Sequence, residues 1–310
     1  METDKQEDHK SLYELEIPAM NTTFFVSITN SEVTNWKEHI LGWFKYVELE
    51  WSRFRGDNEL AKLNATPIGV TVQLSPPLFD ILSKADDYCR KTNGLFSPYL
   101  LNQIKQNGYD QSFPFKTAKM KEPEPVPTQQ YSGTPSPFIF NQSELSVTRI
   151  AGGMVDLGGI GKGYAVESAA TWLKQFAGAN SGIVDGGGDI SVWSNGEKEW
   201  KIGIADPLDQ EKELKQISLK NGSIATSNIV YRSWWQGNQK KHHILNGRTG
   251  LPVETELLQA TIVTTNCLDA EVSAKLCFMK TGLELTKQLN EINPHYKAVL
   301  VDCYKNINIQ

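Results

Sequence analysis

Residues 182–193 read Gly-Ile-Val-Asp-Gly-Gly-Gly-Asp-Ile-Ser-Val-Trp. Two short apolar runs flank three consecutive glycines. Glycine takes the left-handed backbone of a tight reversal at no steric cost. The stretch therefore predicts an antiparallel hairpin with strands over 182–184 and 189–193. A second reading, in which Asp185-Gly186-Gly187-Gly188-Asp189 lines a ligand cleft, is weaker on this signal alone.

Strands recur downstream of the hairpin, over 200–204, 217–219, 223–226, 243–245 and 260–264. Helices over 268–279 and 283–289 and a strand over 298–302 follow. Upstream lie a helix over 164–176 and short strands over 138–140 and 145–149. A helix over 77–88 carries prolines at its start, where a missing N–H does no harm. Trp36, Ile40, Trp43, Phe44, Val47, Leu49 and Trp51 recur at helical spacing within 32–54. Residues 21–28 are β-branched and aromatic and predict a strand. Strands that follow one another with few helices between them predict an α+β fold, a mixed or antiparallel sheet with flanking helices. No internal repeat is present.

The chain has 310 residues, 39% apolar and 22% charged, the profile of an ordinary globular protein. Its net charge of −5 argues against a general nucleic-acid binder, since nothing would displace counterions over a wide surface. No apolar run approaches the roughly 18 residues of a membrane helix. Residues 1–17 are charged, lack the apolar centre of a signal peptide and read as a solvated tail. Residues 18–305 read as one domain, interrupted over 116–137 by a proline-rich loop or linker. Cys89, Cys267, Cys277 and Cys303 show no paired spacing, so reduced thiols are expected. The expected compartment is the cytoplasm as the sequence stands, or a periplasmic or membrane-anchored setting if a leader has been removed.

Four segments could carry chemistry. Asp156-Leu-Gly-Gly-Ile-Gly-Lys-Gly-Tyr-Ala-Val-Glu167 sets glycines and Lys162 at the start of a helix, where free N–H groups suit a phosphate or pyrophosphate. It is neither a Walker A loop nor a G-x-G-x-x-G fingerprint. A plain strand-to-helix turn explains it about as well. The 185–189 glycines are the second segment. In the third, Lys241-His-His-Ile-Leu-Asn-Gly-Arg-Thr-Gly-Leu-Pro252, His243 is a candidate proton acceptor and Arg248 could grip a phosphate. The plain reading is a partly buried strand histidine and an Asn246-Gly247 hairpin turn. In the fourth, Asp269 and Ser273 stand four residues apart on a helix and could offer two oxygens to Mg²⁺. By itself, an acid favoured by the helix dipole is the better reading of Asp269.

In this order the segments resemble the FAD:protein FMN transferase, or ApbE, family. The likeness runs from about Pro18 to Leu300. Ala19-Met20-Asn21-Thr22 is similar to the family's Met-Gly-Thr strand. Ser52-Arg-Phe54-Arg-Gly-Asp-Asn-Glu59-Leu-Ala-Lys-Leu-Asn64 is similar to its Ser-x-Tyr segment. Gly94-Leu95-Phe96-Ser97-Pro98 is similar to its Gly-Ala-Phe-Asp-Pro stretch, and Asp156–Gly163 to its strongest signature. Departures stand at Asn21, Ser97, Asp185, Asn228, Asn246-Gly247 and Ser273, where the family has Gly, Asp, Asn, Gly, Asp-Pro and Thr.

The resemblance implies an α+β fold with an FAD cleft. It implies flavin and nucleotide contacts at Met20, Phe54, Leu95, Phe96, Ser97, Asp156, Gly158, Lys162, Tyr164, His243, Leu245 and Arg248. It implies Mg²⁺ held by Asp269, Ser273 and the Gly161 carbonyl, which makes Asp269 catalytic; His243, from its own chemistry, is the expected catalytic base. The implied reaction transfers FMN from FAD to a Ser or Thr hydroxyl of an acceptor flavoprotein, such as a redox-chain subunit or flavin-carrying domain, releasing AMP. Two alternatives stay open: a Mg²⁺-dependent FAD pyrophosphatase, and a non-catalytic FAD-binding protein.

Overall fold

The computed structural model describes residues 12–115, 136–196 and 198–310. The chain opens on the hairpin β1 (Tyr13–Ala19) and β2 (Thr22–Ile28). Next come α1 (Trp36–Trp51), α2 (Glu59–Ala65), β3 (Thr71–Gln73), α3 (Pro76–Lys91) and α4 (Leu101–Gln106). β4 (Phe138–Asn141) and β5 (Ser146–Arg149) lead to α5 (Gly161–Gln175), β6 (Ser181–Asp185), β7 (Asp189–Ser194), β8 (Trp200–Asp206) and β9 (Asp209–Leu219). The remainder is β10 (Gly222–Asn228), β11 (Ser233–Gln236), β12 (Gln239–His242), β13 (Leu257–Thr264), α6 (Cys267–Leu276), α7 (Gly282–Ile292), β14 (Lys297–Asp302) and β15 (Ile307–Ile309).

The hairpin expected at 182–193 is β6–β7, at the middle of an eight-stranded sheet ordered β1-β2-β6-β7-β10-β13-β14-β15. Every neighbouring pair in it is antiparallel, so the α+β reading stands and the sheet is antiparallel rather than mixed. Helix α5 packs on β6 and β7, α6 on β10 and β13, and α1 on β1 and α5. The apolar stripe Trp36, Ile40, Phe44, Val47, Trp51 is the buried face of α1. Helix α6 is buried at every position except Lys275.

Several boundaries differ from the sequence reading. Residues 13–17 are not tail: Tyr13–Ala19 pairs along its whole length with β2. Its exposed-to-buried alternation hides among charged residues, which masks the strand. The long helix over 32–54 ends at Trp51 because Asn58 turns the chain. Asn58 Nδ2 donates to the Leu49 and Ser52 carbonyls, while its Oδ1 accepts from Ala61 N–H and opens α2. Residues 243–245 are not a strand; β12 stops at His242, and Leu245 makes only an isolated bridge to Pro252. Ordered structure continues past 305, since β15 pairs with β14. Most of the proline-rich 116–137 segment lies outside the described residues. No helix among the described residues is long and apolar enough to cross a membrane.

Candidate functional site

A cavity opens where the β1–β2 turn, the α1–α2 turn, the 96–97 loop, the glycine turn before α5, the 243–245 segment and the end of α6 meet. Met20, Phe54, Phe96, Ser97, Asp156, Gly158, Gly161, Lys162, His243 and Leu245 all line it. Leu95, Tyr164, Arg248, Asp269 and Ser273 do not. Two-thirds of the expected positions thus converge on one hollow, drawn from segments that lie far apart in sequence.

One wall is aromatic. The Arg53 guanidinium lies 4.8 Å from the Phe54 ring centroid and 4.3 Å from that of Tyr109. Arg53 is held there by a 2.7 Å ion pair with Asp156. Asp156 also accepts from Gly158 N–H, so this carboxylate organises the turn instead of waiting for a ligand. Met20 and Asn21 both take positive φ (51° and 60°), giving a tight reversal that sets Met20 against the cavity. Glu48 steadies the turn by accepting the Met20 N–H at 2.8 Å.

The opposite side is cationic. Lys162, Arg232 and Lys275 all border the cavity. Lys162 reaches back to the buried carboxylate of Asp189, and burial lowers its ammonium to about 8. Lys275 Nζ donates to Glu271 Oε1 at 3.2 Å. Among the described residues, the Arg232 guanidinium has neither ion pair nor hydrogen bond. His243 borders the same space. Burial first, then the Arg232 charge, holds its imidazole down to about 3, with Lys275 adding to the effect. At neutral pH the ring is therefore uncharged. Its Nδ1–H points at the Arg232 carbonyl, 3.4 Å away, which leaves the Nε2 lone pair for a proton.

The acid–hydroxyl pair expected to hold a metal faces the wrong way. Asp269 Oδ1 accepts from Tyr88 Oη–H at 2.6 Å, and its Oδ2 accepts from the amides of Asn266 (2.5 Å) and Asn293 (2.9 Å). Ser273, one turn on, is 1% exposed and shares that outward face. The helix turns 100° per residue, so Glu271 stands about 200° from Asp269 and looks back at the glycine turn. Glu271 Oε2 accepts the Gly163 N–H at 2.9 Å. That contact explains Gly163, since a Cβ there would stand 2.6 Å from Glu271 Oε2 and 3.1 Å from the Cys267 carbonyl. The glycine makes room for a carboxylate of this chain, which caps the start of α5 where an anionic ligand was expected. Among the described residues no three His, Cys, Asp or Glu side chains cluster as a metal site. The donors expected for Mg²⁺ do not fit it.

Three other expected contacts act at one remove. Tyr164, two residues past Lys162 on α5, lies on the far side of the helix. It donates to Asp80 at 2.6 Å and packs edge-on to Trp51. Leu95 is buried, and its carbonyl accepts from Gly247 N–H at 2.8 Å. A Cβ on Gly247 would strike the Leu95 carbonyl at 2.7 Å, so the 246–247 turn needs glycine to dock on the loop that presents Phe96 and Ser97. Arg248 Nε donates to the Asn93 carbonyl at 2.7 Å and clamps the same two loops together. Asn246 Oδ1 accepts from Arg248 N–H, an Asx turn that an amide makes as well as a carboxylate.

The sequence reading passed over Glu48, Arg53, Tyr109, Arg232, Glu271 and Lys275. For the last two a signal was present: a Glu–Lys pair at i and i+4 on the helix that carries Asp269 and Ser273. Nothing local marks Arg232 or Tyr109, which reach the cavity through tertiary packing.

The ApbE family model matches residues 20–300. The chain is 26% identical over 261 residues to an FAD:protein FMN transferase of Treponema pallidum, covering 78% of this chain and 70% of that protein. It is 28% identical over 164 residues to one of Klebsiella pneumoniae, covering 51% and 50%. Its fold matches the crystal structure of the ApbE protein from Thermotoga maritima with a TM-score of 0.82, at 23% identity over 96% of both chains. The chain belongs to the ApbE family.

Proposed function

We propose that this protein cleaves FAD and transfers the FMN half to a Ser or Thr hydroxyl of an acceptor flavoprotein, such as a redox-chain subunit or flavin-carrying domain. The observation that carries the proposal is the cavity itself. It sets Lys162, Arg232 and Lys275 around a glycine turn, beside the aromatic Phe54, Phe96 and Tyr109 and an uncharged His243. Clustered cations suit a diphosphate, and aromatic surface suits a flavin.

In the proposed step the acceptor oxygen attacks the FMN phosphorus. One P–O bond forms there, and the anhydride P–O bond breaks to release AMP. The hydroxyl proton passes to His243 Nε2. A pKa near 3 makes His243 a weak base by itself, but after burial its low value comes from the Arg232 and Lys275 charges. A diphosphate between those cations would offset them and raise the imidazole toward the range where it works. Magnesium, which the family likeness implies, has no acid–hydroxyl pair facing this cavity, and no step here runs through a metal.

The test is incubation with FAD and an acceptor polypeptide, read by mass spectrometry. A flavin-phosphate adduct on Ser or Thr together with AMP supports transfer. FMN and AMP without any acceptor would make the protein a pyrophosphatase. Tight FAD binding with no turnover would make it a carrier. Either result overturns the proposal.

A further inference from the structure

The carboxylates that border the cavity are engaged: Glu48 by the Met20 N–H and Asp156 by Arg53. Behind the glycine turn, Glu271 is divided between the Gly163 N–H and the Lys275 ammonium, and its side chain is only 2% exposed. Asp269 and Ser273 lie on the other side of α6. A divalent ion at the turn would find its carboxylate, Glu271, already held by the Gly163 N–H and Lys275, and would stand beside an ammonium in place, so like charges would repel it. Mg²⁺ also demands close octahedral oxygen ligands.

Lys275 is built for the role such an ion would have. Its stem runs along the turn, with Cε 3.6 Å from where a Gly159 Cβ would stand. Its ammonium is anchored from behind by Glu271 and borders the cavity in front. Arg232 borders the same space without a partner among the described residues.

We infer that Lys275, backed by Glu271 and joined by Arg232, is a built-in cation that holds the diphosphate of the dinucleotide in place of a divalent metal ion. The identity of the ligand rests on the function proposed above; the absence of a metal requirement rests on the two faces of α6.

The experiment is calorimetric titration of FAD, ADP and riboflavin into the purified chain, in excess EDTA and again in excess MgCl₂. The wild-type FAD dissociation constant should agree within about twofold between the two buffers. Lys275→Met should weaken FAD and ADP by about tenfold or more, the loss of one charge-assisted contact, and leave riboflavin unchanged. Lys275→Arg should keep most of the affinity. Should Lys275→Met fail to fold around an unpaired Glu271, the double variant Glu271→Gln with Lys275→Met removes both charges and takes its place. Tightening of wild-type FAD by about tenfold on adding Mg²⁺, or no change in FAD affinity in Lys275→Met and in the double variant, overturns the inference. Binding and transfer fail separately: metal-independent FAD binding without transfer sinks the function alone, and transfer that needs Mg²⁺ sinks this inference alone.

Discussion

Helix α6 carries two polar pairs at the same i, i+4 spacing, and they serve different ends. Asp269 and Ser273 point away from the cavity, where Asp269 ties α3, the start of α6 and the end of α7 together through Tyr88, Asn266 and Asn293. Glu271 and Lys275, two residues along, point at the glycine turn. One pair holds the fold and the other faces the glycine turn beside the cavity. Spacing along a helix says which residues share a face; it does not say which face looks at the site.

The strongest way to break this comparison is Asp269→Ala. It would leave a buried phenol and two amides without their acceptor, and a loss of about 3–4 kcal/mol of stability follows. Urea unfolding would measure it, and FAD affinity of the folded fraction should stay within about twofold. Stability unchanged with FAD affinity lost would reverse the roles of the two faces. A smaller effect is expected from Gly163→Ala, which drives a methyl to within 2.6 Å of Glu271 Oε2. The carboxylate would have to move, at about 1–3 kcal/mol, and Lys275 would lose its anchor. Stability and FAD affinity should fall together, and a fall in one alone would separate Glu271 from the ligand face.

Much of this architecture was legible in the sequence. The Gly-Gly-Gly reversal between two Ile/Val runs announced the central hairpin, and the Trp36-to-Trp51 stripe announced α1. Strand β1 was hidden because its inward positions, Leu15, Ile17 and Ala19, alternate with the charged Glu14 and Glu16 and with Pro18. At the site, contiguous segments such as 156–163 could be found from local chemistry. Tyr164 and Asp269 were assigned to the ligand because they sit in those segments, yet helical rotation turns both away. Arg232 and Tyr109 carry no local mark at all, because only the folding of β11 and α4 against each other brings them to the cavity.

The next effect is a matter of pH. His243 is held near 3 in the folded protein, against about 6.5 when unfolded. Between those values the unfolded chain binds the extra proton, so stability rises with pH across that window and is lost as pH falls from 6.5 toward 3. Replacing His243 with Asn should therefore spare about 1 kcal/mol of the loss between pH 7 and pH 5, a value discounted for the partial exposure of the ring. Lys275 is one cause of the low value and lies on the ligand face. An NMR titration should accordingly show the His243 pKa rising in Lys275→Met and staying put in Asp269→Asn. Equal shifts in the two variants would blur the distinction between the faces.

Ser273→Ala asks the least of the molecule and discriminates most sharply. The hydroxyl is buried on the outward face, and its removal leaves the size and shape of the side chain nearly intact. Loss of one buried hydroxyl contact changes stability by about 1 kcal/mol at most. If Ser273 were one of the two donors to a catalytic cation, its alanine variant would lose Mg²⁺-dependent FAD affinity and transfer rate while remaining folded. The arrangement of α6 requires the opposite: unchanged FAD titrations with or without EDTA, and unchanged transfer. Since Ser273 and Lys275 are separated by only two residues, the pair of variants Ser273→Ala and Lys275→Met isolates the direction of the side chain from its place in the sequence. Only the residue rotated toward the glycine turn should matter to the ligand.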